Sequence, residues 1–361
     1  MTSARKRIPL VHAPTPIERR RALDEIVGAN VWIKRDDATG GAEAGNKVRK
    51  LEFLLADAID RGAEVVITCG GLQSNHARAT ALSCARLGLR AVLYLRTSAP
   101  VPATEAVELT GNVLLDRLAG AELCFITPAE YRERGAIMEH ARRELEAAGG
   151  AAYVIPEGGS NGLGSLGYVE AMREVRRQID LGLCAGLEGS SDRRPRFDVV
   201  AHACGSGGTA AGVALGAARF EVARETWAFA VCDDRAYFEK TVARIAAESR
   251  GFDPSLPPLS HVAPGAEDPA DTPERARLVI DDRAKGPAYG EMDEEQKRFL
   301  ARVARKTGLV LDPVYTGKAM WGLARAVERG EIASGANVLF IHTGGLPGLL
   351  AQGEELRGAL H

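Results

Sequence analysis

Aromatic residues make up only 5% of this 361-residue chain, and its six cysteines, Cys69, Cys84, Cys124, Cys184, Cys204 and Cys232, are scattered with no C-x-x-C pair. That scatter excludes a disulfide framework, argues against a structural zinc site, and fits reduced thiols in the cytoplasm. No apolar run approaches the ~18 residues of a membrane helix. The basic N-terminus, Thr2-Ser3-Ala4-Arg5-Lys6-Arg7, is followed by no apolar segment, so no secretory signal is expected. Charge of one sign is lacking too. Forty-six basic against 48 acidic side chains leave a net charge of −2, so no bulk field would hold a nucleic acid or an anionic membrane. With no H-E-x-x-H or similar ligand set, no metal is expected.

Glycine is what the chain has in excess: 40 residues, about 11% against ~7% on average, which suits backbone that approaches a ligand. Short β-branched runs recur at Glu64–Cys69, Ala91–Leu95, Ala121–Ile126, Ala151–Ile155, Phe197–Ala201, Trp227–Val231 and Asn337–Ile341. Helical patterns separate them at Arg49–Arg61, Ser74–Leu87, Tyr131–Ala148, Leu166–Ile179, Thr209–Ala218, Asp234–Glu248, Asp293–Lys306 and Lys318–Arg329. Such alternation predicts an α/β fold with parallel strands and right-handed crossovers. The length allows about two domains. Residues 55–155 read as a smaller four-strand unit set into a larger one made of 1–54 and 156–361. Gly182–Arg196 and Phe252–Pro273, polar and rich in glycine or proline, read as loops.

Four stretches carry candidate chemistry. Gly45-Asn46-Lys47-Val48-Arg49-Lys50 opens a helix. Taken alone, it is either a solvated basic face or the setting of a lysine that deprotonates easily enough to form a Schiff base. Cys69-Gly70-Gly71-Leu72-Gln73-Ser74-Asn75-His76 follows a strand and offers cap residues beside unpaired amides, either an anion site or an ordinary cap. Cys204-Gly205-Ser206-Gly207-Gly208-Thr209-Ala210 exposes consecutive amides at a helix start. It lacks the Gly-Lys-Ser/Thr of a Walker loop, and Ala210 stands where this stretch would need the third glycine of G-x-G-x-x-G, so it suits a monophosphate better than a nucleotide. Finally, Tyr289, Tyr315 and His342-Thr343-Gly344-Gly345 lie in turns or at a strand end, where α/β sheets bind ligands.

In this order the stretches resemble the pyridoxal-phosphate enzymes of fold type II that include 1-aminocyclopropane-1-carboxylate deaminase and D-cysteine desulfhydrase. The resemblance runs from Pro14-Thr15-Pro16-Ile17 and Ile33-Lys34-Arg35-Asp36-Asp37 through the Lys47 and Ser74 motifs to His342-Thr343-Gly344-Gly345. It implies two open, twisted, mostly parallel sheets with helices on both faces, pyridoxal 5'-phosphate as cofactor, a small amino acid as substrate and a homodimer. By matching, Lys47 rather than Lys50 carries the cofactor as an imine and serves as the base at Cα. Gly205, Ser206, Gly207, Gly208 and Thr209 cradle its phosphate. Gln73, Ser74, Asn75 and His76 bind the substrate, with Ser74 and Asn75 gripping its carboxylate; Asn75 also lies near the cofactor's ring hydroxyl, and Ser74 is a second proton carrier. Tyr289 and Tyr315 face the substrate and assist the leaving group.

Thr316 and Thr343 sort the reaction. Deaminases of the family have Glu and Leu at these positions, whereas desulfhydrases resemble this chain at both. A threonine hydroxyl near the pyridine nitrogen makes a weaker electron sink than a carboxylate would, enough to eliminate a good leaving group. The expected reaction is D-cysteine to pyruvate, ammonia and hydrogen sulfide. Elimination of sulfite from L-cysteate and opening of the cyclopropane amino acid are the alternatives, and a non-catalytic binder of a phosphorylated small molecule is the alternative of a different class.

Overall fold

A computed structural model describes residues 6–189, 194–266 and 275–360. Eleven strands occur among them: β1 Ile17–Arg19, β2 Asn30–Lys34, β3 Val65–Gly71, β4 Arg90–Arg96, β5 Glu122–Ile126, β6 Ala152–Val154, β7 Phe197–Cys204, β8 Ala223–Ala230, β9 Leu259–Val262, β10 Ala276–Asp281 and β11 Asn337–Ile341. Seven form one sheet in the order β1-β2-β11-β7-β8-β10-β9, and four form a second in the order β5-β4-β3-β6. Only β1 and β2 pair antiparallel. The four strands of the second sheet all fall within residues 55–155. No helix among the described residues is long and apolar enough to cross a membrane.

The seven strands expected from hydrophobic runs are present, and four more escaped the pattern. β9 lies inside the segment expected to be a loop; it is a half-buried sheet edge, paired only with β10, so it carries no continuous apolar run. Gly182–Arg196 is likewise not a free loop in its first half. Cys184 and Leu187 are buried, and Trp32 Nε1 donates to the Ala185 carbonyl at 3.2 Å. Residues 190–193 lie outside the described part.

Glycines set how closely the helices approach. A Cβ on Gly167 would stand 2.1 Å from the Arg49 carbonyl oxygen, and one on Gly212 2.2 Å from that of Ser165. Helix Gly162–Asp180 is thereby wedged between helices Asn46–Asp60 and Gly208–Arg219. Gly162-Leu163-Gly164-Ser165-Leu166-Gly167 has the strict G-x-G-x-x-G spacing, yet Gly164 and Gly167 serve this packing, facing Gly159 and Arg49 backbone. Beneath the same helices, Arg49 donates to Asp36 Oδ1 at 2.7 Å and to Glu174 Oε2 at 3.1 Å. Glu174 also meets the buried Lys34, and Tyr168 donates to Asp36 at 2.7 Å. This buried network anchors the start of helix Asn46–Asp60 to β2.

Candidate active site

The C-terminal ends of strands from both sheets face a cavity of about 870 Å³. Residues that follow β3, β6, β7, β8 and β11 line it, together with Asn46 and Lys47. An α/β fold places ligands at these strand ends, where helix N-termini and loop amides converge.

Lys47 stands in the first turn of its helix, which Gly45 enters at φ 130, a backbone conformation that favours glycine. Thr39 Oγ1 accepts from Gly45 N at 2.8 Å, and the Arg78 guanidinium donates to the carbonyls of Ala42 at 2.6 Å and Ala44 at 2.8 Å. The turn is thus held from both sides. Lys47 Nζ donates to Asn46 Oδ1 at 3.0 Å, while Asn46 Nδ2 donates to Thr209 Oγ1 at 3.0 Å, so the lysine turn and the glycine-rich loop are stitched together. Burial, then the nearby charge of Arg78, brings the Lys47 amine down to about 8. Lys50 does not line the cavity: its Nζ donates to Gly158 O at 3.0 Å and Ser160 Oγ at 3.3 Å.

The glycine-rich loop turns from β7 into helix Gly208–Arg219 through Gly207 at φ 84. A Cβ on Gly205 would come within 2.9 Å of Tyr315 Cε1, so a side chain there would fill the cradle. Gly205, Ser206, Gly207 and Thr209 line the cavity. Gly208 does not, because its N–H donates to Ser160 Oγ at 3.2 Å. Ser160 Oγ also bonds Ser206 Oγ at 2.8 Å, which braces the loop. A concave backbone at the N-terminus of a three-turn helix, with hydroxyls at its rim and a low-pKa amine nearby, fits a phosphorylated aldehyde.

Ser74 caps helix Asn75–Arg86, accepting from Ala77 N at 3.2 Å. Ser74, Asn75 and His76 line the cavity; Asn75 Oδ1 accepts from Asn112 Nδ2 at 3.1 Å. Burial, then the charges of Lys47 and Lys50, holds His76 well below the usual imidazole value, and its Nε2 bonds Thr68 Oγ1 at 2.9 Å. It is a neutral ring.

Gln73 is a correction: its side chain is turned to Asn112 N at 2.7 Å and Thr110 O at 3.1 Å. It latches the start of helix Gly111–Leu118 instead of facing the cavity. Thr316 is another. Its hydroxyl donates to Asp312 Oδ1 at 2.6 Å and accepts from Asp312 N at 2.8 Å, spending it on the turn, and it does not line the cavity. Thr343 does.

Tyr289 and Tyr315 share a hydroxyl–hydroxyl hydrogen bond of 2.6 Å. Burial pushes Tyr289 up to about 12, and pushes Tyr315 well above the usual phenol value. The Asp312 carboxylate accepts from the amides of Val314, Tyr315 and Thr316 at 2.8–3.0 Å, fixing Tyr315. Lys318 donates to the carbonyls of Lys285 at 2.6 Å and Ala288 at 2.8 Å, fixing the segment before Tyr289. Lys47 Nζ lies 5.6 Å from the Tyr315 ring centroid.

Arg96, Tyr131, Arg134, Glu157 and Ser160 also stand on the cavity wall, outside the four stretches singled out in the sequence. Gly158-Gly159-Ser160 follows a strand as the other glycine turns do, which was the available signal. Tyr131 donates to Glu157 Oε1 at 2.8 Å, and Arg134 pairs with Glu157 Oε2 at 2.9 Å.

Comparison with known proteins gives a consistent result. The family described as pyridoxal-phosphate dependent enzyme matches residues 8–344. A mitochondrial bifunctional D-cysteine desulfhydrase/1-aminocyclopropane-1-carboxylate deaminase of Arabidopsis thaliana is 41% identical over 353 residues, 96% of this chain and 80% of the relative. A D-cysteine desulfhydrase of Yersinia pestis is 38% identical over 346 residues, 96% of this chain and 95% of the relative. A crystal structure of a homologue of 1-aminocyclopropane-1-carboxylate deaminase matches with a TM-score of 0.80 at 34% identity, covering 98% of this chain and 96% of the other.

Proposed function

This chain belongs to the family of pyridoxal-phosphate-dependent enzymes, and on that premise we propose that it eliminates hydrogen sulfide from D-cysteine, leaving pyruvate and ammonia. The observation that carries the reading is Lys47, a half-buried lysine on the cavity wall with its pKa brought down to about 8 beside the linked phenols of Tyr315 and Tyr289. When bound, pyridoxal phosphate supplies an electron sink for a substrate amine. Lys47 would hold its carbonyl carbon, and the amides and hydroxyls of Gly205, Ser206, Gly207 and Thr209 its phosphate. The helix start at Ser74 and Asn75 orients the substrate carboxylate. Once displaced, Lys47 takes the Cα proton, since an amine with a pKa near 8 has a large uncharged fraction at neutral to mildly basic pH. The Tyr289–Tyr315 pair keeps its protons at that pH and delivers one to the departing sulfur.

Cyclopropane ring opening is the second reading, supported by the bifunctional Arabidopsis relative. Against it stands Thr316, bound to Asp312 where the deaminase pattern has a carboxylate. The test is sulfide and pyruvate release from D-cysteine by the cofactor-loaded protein, beside L-cysteine, L-cysteate and 1-aminocyclopropane-1-carboxylate. Sulfide from D-cysteine is expected; pyruvate from L-cysteate alone, or 2-oxobutyrate from the cyclopropane alone, would overturn it.

A homodimer is part of the same reading. Leu109, Leu114, Leu118, Leu346 and Leu350 are exposed on or beside helices Gly111–Leu118 and Leu346–Ala351, which pack on each other, and a patch of this kind marks an interface. Sedimentation of the purified protein checks it. The six free cysteines support a cytoplasmic location.

A further inference from the structure

Among the described residues, five cationic side chains line the cavity: Lys47, Arg96, Arg132, Arg134 and Arg244. Arg134 is neutralised by Glu157 and Arg244 by Glu248, and Arg132 is exposed at the rim. Arg96 is different. Its guanidinium carbon lies 5.2 Å from the Tyr131 ring centroid and 5.6 Å from that of Tyr289, and no carboxylate among the described residues pairs with it. Two aromatic rings orient the guanidinium, and its N–H fork is left for an anion.

The backbone says what that anion belongs to. Arg96 ends β4 and stands in register with Gly71 of β3, about 5 Å away across the sheet. Gly71 leads into the turn at Ser74 and Asn75, the place for a substrate's α-carboxylate. Having no side chain, Gly71 leaves the ground between that place and Arg96 open; a Cβ there would stand 3.6 Å from Tyr289 Cε1. The phosphate cradle follows β7, in the other sheet, so Arg96 is not needed for it. The cavity, about 870 Å³ and within the ~300–1,000 Å³ of ligand pockets, reaches from the cofactor's cradle to Arg96.

Building on the β-elimination reading, we propose that Arg96 is a specificity residue that receives a second anionic group at the end of the substrate side chain. The favoured substrates are then D-cysteine derivatives whose leaving thiol carries a carboxylate, with D-cysteine itself the unsubstituted parent that leaves the Arg96 subsite empty. Lys47 takes the Cα proton; the Cβ–S bond breaks with its electron pair on sulfur, which is protonated to the carboxylated thiol. Water converts the three-carbon remainder to pyruvate and ammonium, with no change of oxidation state overall.

The experiment compares S-carboxymethyl-D-cysteine with S-methyl-D-cysteine and D-cysteine on the holoenzyme, and measures binding of succinate and butyrate to it by calorimetry. In the wild type, kcat/KM for the carboxymethyl substrate should exceed that for the methyl one about tenfold, and succinate should bind about tenfold tighter than butyrate, one charge-assisted hydrogen-bonded pair. Arg96→Gln should bring both ratios near one, and Arg96→Lys should restore part of them. Where pyruvate forms, the proposal is overturned by the absence of either preference in the wild type, by its survival in Arg96→Gln, or by equal loss of butyrate and succinate affinity, which would assign Arg96 to the α-carboxylate. If none of the three amino acids yields pyruvate while the succinate preference still disappears in Arg96→Gln, the β-elimination reading falls and the anion subsite stands.

Discussion

At the residue scale, chemistry is set by how a few groups are deprived of water. Lys47, with burial and the Arg78 charge acting in the same direction, is brought down to about 8. In cofactor-free protein its uncharged fraction rises with pH through that value, so the rate at which added pyridoxal phosphate develops its visible imine absorbance should rise with pH and level off above about 8. Replacing Arg78 by Gln should move that midpoint upward, toward the ~10.4 of a free lysine; an unmoved midpoint would deny Arg78 its electrostatic part. Lys47→Ala should lose the absorbance altogether and cost on the order of 10³-fold or more in turnover. For the phenol pair, Tyr289→Phe should lower kcat by about 10²–10⁴-fold with little change in KM. A pure KM effect would make Tyr289 a contact, not a proton donor.

At the level of elements, glycine decides which helices can meet and which turns can cradle a ligand. Gly212 in helix Gly208–Arg219 touches the backbone of Ser165 in helix Gly162–Asp180. Gly212→Val should therefore destabilise by at least ~1–3 kcal/mol, read as a lower urea midpoint at unchanged slope, and should loosen cofactor binding because the same helix starts at the phosphate cradle. The strand–turn–helix units that carry Ser74 and Gly205–Thr209 were legible because a β-branched run, glycines and a cap residue follow one another in the chain. β9 and β2 were not legible, since an edge strand and a five-residue strand with polar ends carry too little periodicity.

Over the whole molecule, buried charge and buried imidazole set the tolerance to mutation and acid. Arg49→Met would remove the ion-pair partner of the buried Asp36 and leave Glu174 with Lys34 alone beneath the helix that carries Lys47, a loss of about 3–5 kcal/mol measurable by denaturant unfolding. Burial holds His202 down at about 4 and His76 well below its usual value. The unfolded chain protonates these rings near ~6.5, so it gains protons that the native state refuses. Stability should be full above that pH and decline as pH falls from about 6.5 toward 4, seen as a falling urea midpoint; a flat profile over that range would contradict neutral burial of both rings. The sequence by itself determined what is local: the alternating α/β pattern, the glycine turns after strands, and the motif around Lys47 that carries the family resemblance. Only the tertiary structure decided which groups meet. Nothing in chain order frees Arg96 while Glu157 occupies Arg134, or turns Gln73 toward Thr110 and Asn112 and away from the cavity. Each of those outcomes depends on contacts between residues distant in the chain or on the packing of one helix face, and such contacts exist only once the two sheets have closed around the site.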